Sequence, residues 1–169
     1  GAACTVVVAD LADPAGPQKL FDAVQAAGRP VDVLVNNAGF GDLGFFAAAD
    51  LPKLLRMIQV NVTALTELTH LFVQGMKERG RGRVLNVGSV AGFQPGPIMA
   101  VYYATKAYVN SLSQALSNEL GGTGVTVTAL CPGPTHTEFS AVAGMQESKV
   151  FSVGGRLTAR AVAEAGVAA

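Results

Sequence analysis

Residues Arg83–Leu130, RVLNVGSVAGFQPGPIMAVYYATKAYVNSLSQALSNELGGTGVTVTAL, set the architecture of this chain. An apolar run at Arg83–Val87 breaks into a loop of small residues, as a buried strand does at its end. A helix-length stretch, Val101–Leu120, then begins just after Pro95 and Pro97, and Gly121-Gly122 stops it. A second apolar run, Val125–Leu130, completes a strand–helix–strand unit with a right-handed crossover. On the N-terminal side the alternation repeats: strands at Cys4–Ala9 and Val31–Val35, and helices at Ala15–Ala27 and Leu51–Arg79. The strands are rich in Val and Leu without strict alternation, which predicts a parallel sheet buried on both faces.

At 169 residues the chain suits one domain spanning 1–169, and 50% hydrophobic against 14% charged residues suits a dense α/β core. Twelve Lys plus Arg balance twelve Asp plus Glu, so no net field favours nucleic acid or an anionic membrane. RGRGR, Arg79–Arg83, reads as a solvated turn before a strand. Cys4 and Cys131 lie far apart in apolar runs and are expected as buried free thiols in a reducing compartment. His70 and His136 have no metal-ligand spacing, and no metal is expected. With no charged-then-apolar leader and no apolar run near the ~18 residues of a membrane span, the expected setting is the cytoplasm.

The chemistry centres on Tyr102 and Lys106, whose spacing stacks a phenol and an ammonium on one helical face. A phenol ordinarily titrates near ~10, and a neighbouring cation is expected to lower that value and make proton transfer to a carbonyl oxygen feasible. Ser89 precedes the tyrosine at a strand's carboxyl end, and Asn61 lies within LLRMIQVNVTALTELTHLF. NNAG (Asn36–Gly39), Asn61, Ser89 in GSVAG, Tyr102 with Lys106, and Pro132-Gly133 leading to Thr137 together resemble the short-chain dehydrogenase/reductase family, in the subgroup acting on alcohols and ketones. The resemblance runs from about Cys4 to Thr137 in order and spacing.

The resemblance implies a Rossmann-like doubly wound parallel sheet with helices on both faces, and hydride transfer between NAD or NADP and a small-molecule carbonyl or secondary alcohol. It makes Tyr102 the general acid/base and gives Ser89 a hydrogen bond to the substrate oxygen. Lys106 would hold the nicotinamide ribose, and Asn61 a water that relays protons to Lys106. Asp10 would meet the adenine; Asn36, Ala38 and Gly39 the ribose side; Pro132, Gly133, Thr135 and Thr137 the nicotinamide amide. Thr135 stands where the family commonly has valine. Homodimers or homotetramers, built through Val101–Leu120 and the preceding long helix, are the family's usual assemblies.

The family's opening, T-G-x-x-x-G-x-G, holds the cofactor pyrophosphate and does not occur in these residues. Aligned this way, Cys4–Ala9 is the third strand of the order 3-2-1-4-5-6 and Val31–Val35 the fourth, so two strands are missing between them. At ~4.8 Å per neighbour the break is roughly 14 Å, and the expectation is a longer polypeptide, incomplete here at both ends of the sheet. Gly39–Gly44 matches G-x-G-x-x-G, but Pro52 and a long helix follow rather than a second strand, so a plain loop is expected. Two other functions are weighed. A nucleotide-sugar epimerase or dehydratase also uses Tyr, Lys and Ser or Thr, but is disfavoured by NNAG and by the compact Ser89-to-Tyr102 spacing. A silent dinucleotide-sensing or scaffold protein is disfavoured by retention of all four reactive positions. The segment expected to cover the substrate, Phe139–Gly155, carries little pattern.

Overall fold

The computed structural model of the chain describes residues 3–144 and 157–169. Three parallel strands form the central sheet in the order of the chain: β1 (Val33–Asn36), β2 (Gly82–Val87) and β3 (Val125–Leu130). Val33 pairs with Arg83 and Arg83 with Thr126, and the register holds to Val87 opposite Leu130. The predicted strands fall on these spans, with β1 shifted by a residue or two.

Side-chain alternation divides the sheet into two faces. Leu34, Val84, Val125 and Val127 point to one, which is covered by α3 (Leu65–Glu78) and α4 (Ala100–Glu119), with α1 (Gly16–Ala26) packed on α3. α3 buries Leu65, Leu68, Phe72 and Met76, the three-to-four spacing of a helix with one apolar stripe. Phe21 of α1 meets Phe72 edge-on at 5.1 Å. α6 (Ala159–Ala168) lies against the other face, where a Cβ on Gly166 would stand 3.0 Å from both Leu85 and Leu130. Gly166 therefore sets how near the helix can come. The chain is thus α/β, with a parallel sheet and helices on both sides. Val33 and Val35 of β1 stay 57% and 51% exposed on the α6 side.

The helix expected over Leu51–Arg79 is continuous but not uniform. α2 (Leu51–Ile58) passes through a π-helical turn, Gln59–Ala64, before α3 begins. A π turn widens the ladder by one residue and is frequent near functional sites. Here it carries Asn61. Residues 39–45 form an irregular loop, as expected, and lead into a short 3-10 turn rather than a fingerprint helix.

Cys4–Ala9 lacks the neighbours that the expected break removes: it forms no strand and carries no ladder, Val6 and Val8 are 82% and 94% exposed, and Cys4 is exposed rather than buried as expected. A parallel strand exists only through its neighbour's hydrogen bonds, and among the described residues none lies beside this segment. A two-residue parallel pair, β4 (Thr135–His136) with β5 (Leu157–Thr158), and α5 (Phe139–Val142) were not foreseen; pairs this short leave no periodic trace. Of the expected substrate cover, 139–144 is described and 145–155 lies outside the described residues. No described helix is long and apolar enough to cross a membrane.

Candidate active site

One helix positions the central pair. Tyr102 and Lys106 stand a turn apart on α4, Tyr102 half-buried and Lys106 only 7% exposed. Lys106 Nζ donates to the Val87 carbonyl at the end of β2 (2.7 Å) and lies 5.9 Å from the centre of the Tyr102 ring. Its charge therefore faces the ring. Burial pushes the Lys106 ammonium down from 10.5 to about 8. Burial pushes the Tyr102 phenol above its ordinary value, while a hydrogen-bonding interaction with the Ser89 side chain pulls the other way. The expected lowering of Tyr102 by Lys106 is thus corrected: burial raises the phenol, the neighbouring Tyr103 adds to the rise, and the Ser89 hydroxyl opposes it.

Ser89 sits where β2 ends, in extended backbone, and caps the 3-10 turn Val90–Phe93 by accepting from Ala91 N (3.1 Å). Val90 N–H donates to the Pro132 carbonyl (3.1 Å), tying this loop to the one after β3. The two loops close on the carboxyl ends of the strands, the position where open α/β sheets bind ligands.

Asn61 is 1% exposed, and its side chain makes three hydrogen bonds. Nδ2 donates to Phe40 O (2.9 Å) and Thr105 Oγ1 (3.1 Å), and Oδ1 accepts from Phe40 N (3.1 Å). The amide pins the 39–40 loop to α4. A Cβ on Gly39 would stand 3.1 Å from Asn61 Oδ1 and 3.8 Å from Lys106 Nζ, so only glycine keeps this corner open beside the lysine. A Cβ on Gly133 would meet nothing within 4 Å.

These groups line a cleft of about 640 Å³. Ser89, Tyr102, Lys106, Gly39, Pro132 and Gly133 reach it, as do Thr135 and Thr137. The Thr135 hydroxyl donates to Gly133 O (2.9 Å), so the departure from valine is satisfied within the loop. Three expected cofactor contacts do not line it. Asn36 points to the opposite face, where Nδ2 donates to Thr69 Oγ1 and Asn86 Oδ1, both at 2.9 Å, and the next residue, Asn37, lines the cleft instead. Alternation along β1 sends successive side chains to opposite faces, and the buried acceptors claim the first asparagine. Ala38 is absent from the lining, and Asp10 is exposed, pairing with Arg56 at 3.8 Å.

Sequence reasoning missed the apolar wall. Phe139 of α5 lies 5.2 Å from Tyr102, ring centre to ring centre, with Met99 and Leu43 beside it. It also missed α6, whose Val162, Ala163 and Val167 line the sheet side. The helical pattern of Ala159–Ala168 was open to reading; the placement of Phe139 was not.

Comparison with known proteins gives the family. The model of the short chain dehydrogenase family matches residues 1–148, and the chain belongs to that family. It is 40% identical over 136 residues to the NADP-dependent 3-hydroxy acid dehydrogenase of Salmonella typhi, covering 79% of this chain and 54% of that protein. It is 38% identical over 133 residues to the inactive 2-(S)-hydroxypropyl-CoM dehydrogenase 2 of Xanthobacter autotrophicus, covering 79% and 58%. A short-chain dehydrogenase from Sphingobium yanoikuyae, solved in complex with NADPH, superposes with a TM-score of 0.84 at 33% identity, covering 95% of this chain and 61% of that one. The chain spans about half the length of the curated relatives it matches.

Proposed function

We propose that this chain carries the catalytic half-site of an NAD(P)-dependent oxidoreductase acting on a small carbonyl compound or secondary alcohol, with Tyr102 as general acid/base. The observation that carries the reading is convergence: a phenol, a hydroxyl and an ammonium from two elements meet in one cleft at the strand carboxyl ends. The open corner at Gly39 and the unobstructed Gly133 fit a nicotinamide nucleotide; Lys106 and Asn37 would hold its ribose side, and Thr135 and Thr137 its amide. When bound, the nicotinamide supplies or accepts the hydride. The chain's own residues manage the proton and the geometry. Tyr102, held protonated by burial at neutral pH, donates to a carbonyl oxygen as that oxygen gains charge, while Ser89 Oγ, facing the phenol, offers the same oxygen a hydrogen bond. Lys106, fixed on the Val87 carbonyl, holds a positive charge under the ring, which favours the phenolate left after transfer.

The names of the Salmonella and Sphingobium relatives favour NADP over NAD. In this reading residues 1–169 work as one dinucleotide-binding and catalytic unit in the cytoplasm. Homodimers or homotetramers would form through the exposed Leu55, Ile58 and Tyr108. The name of the Xanthobacter relative favours a second reading, a silent protein that binds without turnover. Following NADH and NADPH oxidation by the purified full chain against a panel of ketones and aldehydes decides between them. The first reading expects turnover with one cofactor; binding of cofactor with no turnover across the panel supports the second.

A further inference from the structure

We propose that Asn110 is a positioning residue that aims Ser89 at Tyr102, a role resting on the reading of Ser89 and Tyr102 given above. Asn110 lies on α4 one turn beyond Lys106 and two beyond Tyr102, so all three share a face of one rigid helix. It is 3% exposed and touches the cleft with no atom. Nδ2 donates to the main-chain carbonyl of Ser89 (3.0 Å), and Oδ1 accepts from the Cys131 thiol (3.3 Å). The Ser89 carbonyl, which can only accept, fixes which end of the amide faces the serine loop, and the thiol serves the other end. Cys131 in turn precedes Pro132, whose carbonyl holds Val90 N.

The surrounding backbone is shaped to this one side chain. A Cβ on Gly88 would stand 2.1 Å from Asn110 Oδ1, and one on Gly92 would stand 2.4 Å from Asn110 Nδ2 and 2.6 Å from the Lys106 carbonyl. Glycines on both sides of Ser89 thus let the loop close around the amide. Lys106 Nζ holds the Val87 carbonyl two residues upstream, at the end of β2; within the loop itself the Ser89 hydroxyl is used locally on Ala91 N, and the Val90–Pro132 bond joins two loops that could move together. Among the described residues, Asn110 is the side chain of the tyrosine-bearing helix that holds the serine's own main chain. The distance between the Ser89 and Tyr102 hydroxyls is thereby set by a single rigid part rather than by a loop's average position. Misplacement of a reacting group by about 1 Å costs on the order of 100-fold in rate.

The test is a double-mutant cycle of Asn110→Ala and Ser89→Ala in the full chain, with kcat and the substrate KM measured for each. The proposal expects Asn110→Ala to lower kcat roughly 10- to 100-fold with Ser89 present and less than about 3-fold with Ser89→Ala, with KM changing little. Equal losses in both backgrounds overturn it, because Asn110 would then act on stability or on another group. An unchanged kcat in Ser89→Ala alone overturns the underlying site reading instead, and the two failures are told apart. Amide exchange gives a readout independent of turnover: Val90 and Ala91 should exchange at least about tenfold faster in Asn110→Ala while β2 and α4 core amides keep their rates. Uniform acceleration across the chain would contradict the proposal. If Asn110→Ala does not fold, Asn110→Ser, which is too short to reach Ser89 O, takes its place in the same cycle.

Discussion

Tyr102 and Lys106 are held in a setting that penalises both of their charged forms, and for Lys106 this has a consequence for stability. Its folded value, about 8, lies below its ordinary 10.5. Between those values the unfolded chain binds a proton that the folded chain does not, so stability rises with pH through that window and is lost as pH falls through about 8. The full effect is at most about 3 kcal/mol. Tyr102 shifts upward and contributes stability that begins to be lost above its ordinary value near 10, which blunts the rise at its alkaline end. Lys106→Met should therefore be more stable than the parent at pH 7, and the difference should shrink toward pH 10; urea unfolding at both values checks this. A constant difference would mean that burial of the ammonium carries no penalty. The asparagines of NNAG mark what sequence could convey at this level. That Asn36 and Asn37 point to opposite faces follows from the strand period, but which face holds the cleft depends on Thr69 and Asn86, residues distant in sequence.

α4 and the π-helical turn do the positioning. α4 carries Tyr102, Lys106 and Asn110 on one face, and Thr105 between them accepts from Asn61. The turn Gln59–Ala64 brings the Asn61 amide against Phe40, and this holds Gly39 clear of Lys106. Asn61→Ala would leave the half-buried Phe40 N–H and carbonyl without their partner, an expected loss of roughly 1–3 kcal/mol in urea unfolding. A loss below about 0.5 kcal/mol would show that the loop holds without it. The three paired strands were legible as short apolar runs, and α4 as a helix-length stretch bounded by Pro95, Pro97 and Gly121-Gly122. The π turn was not: it adds one residue to a ladder without changing the apolar stripe on either side. The want of a partner for Cys4–Ala9, by contrast, was legible from the two strands missing beside it, since a valine-rich run states a preference for strand but cannot supply a partner.

The molecule as described is unevenly covered. Three helices bury one face of the sheet, while on the other α6 shields Leu85 and Leu130 and leaves Val33 and Val35 open. Adjacent apolar side chains on an edge strand make a sticky surface. Val33→Thr with Val35→Thr in residues 1–169 should reduce binding of an apolar dye without lowering the unfolding midpoint by more than about 3 °C; unchanged dye binding would place the sticky surface elsewhere. The same arrangement of a sheet between helices gathers the loops after β2 and β3 at one end of the sheet, where the cleft lies. The account stands or falls on the Tyr102 hydroxyl. In the full chain, kcat for carbonyl reduction by Tyr102→Phe should fall at least about 1,000-fold while nicotinamide cofactor affinity, measured by titration, stays within about threefold. Turnover within about tenfold of the parent would contradict it.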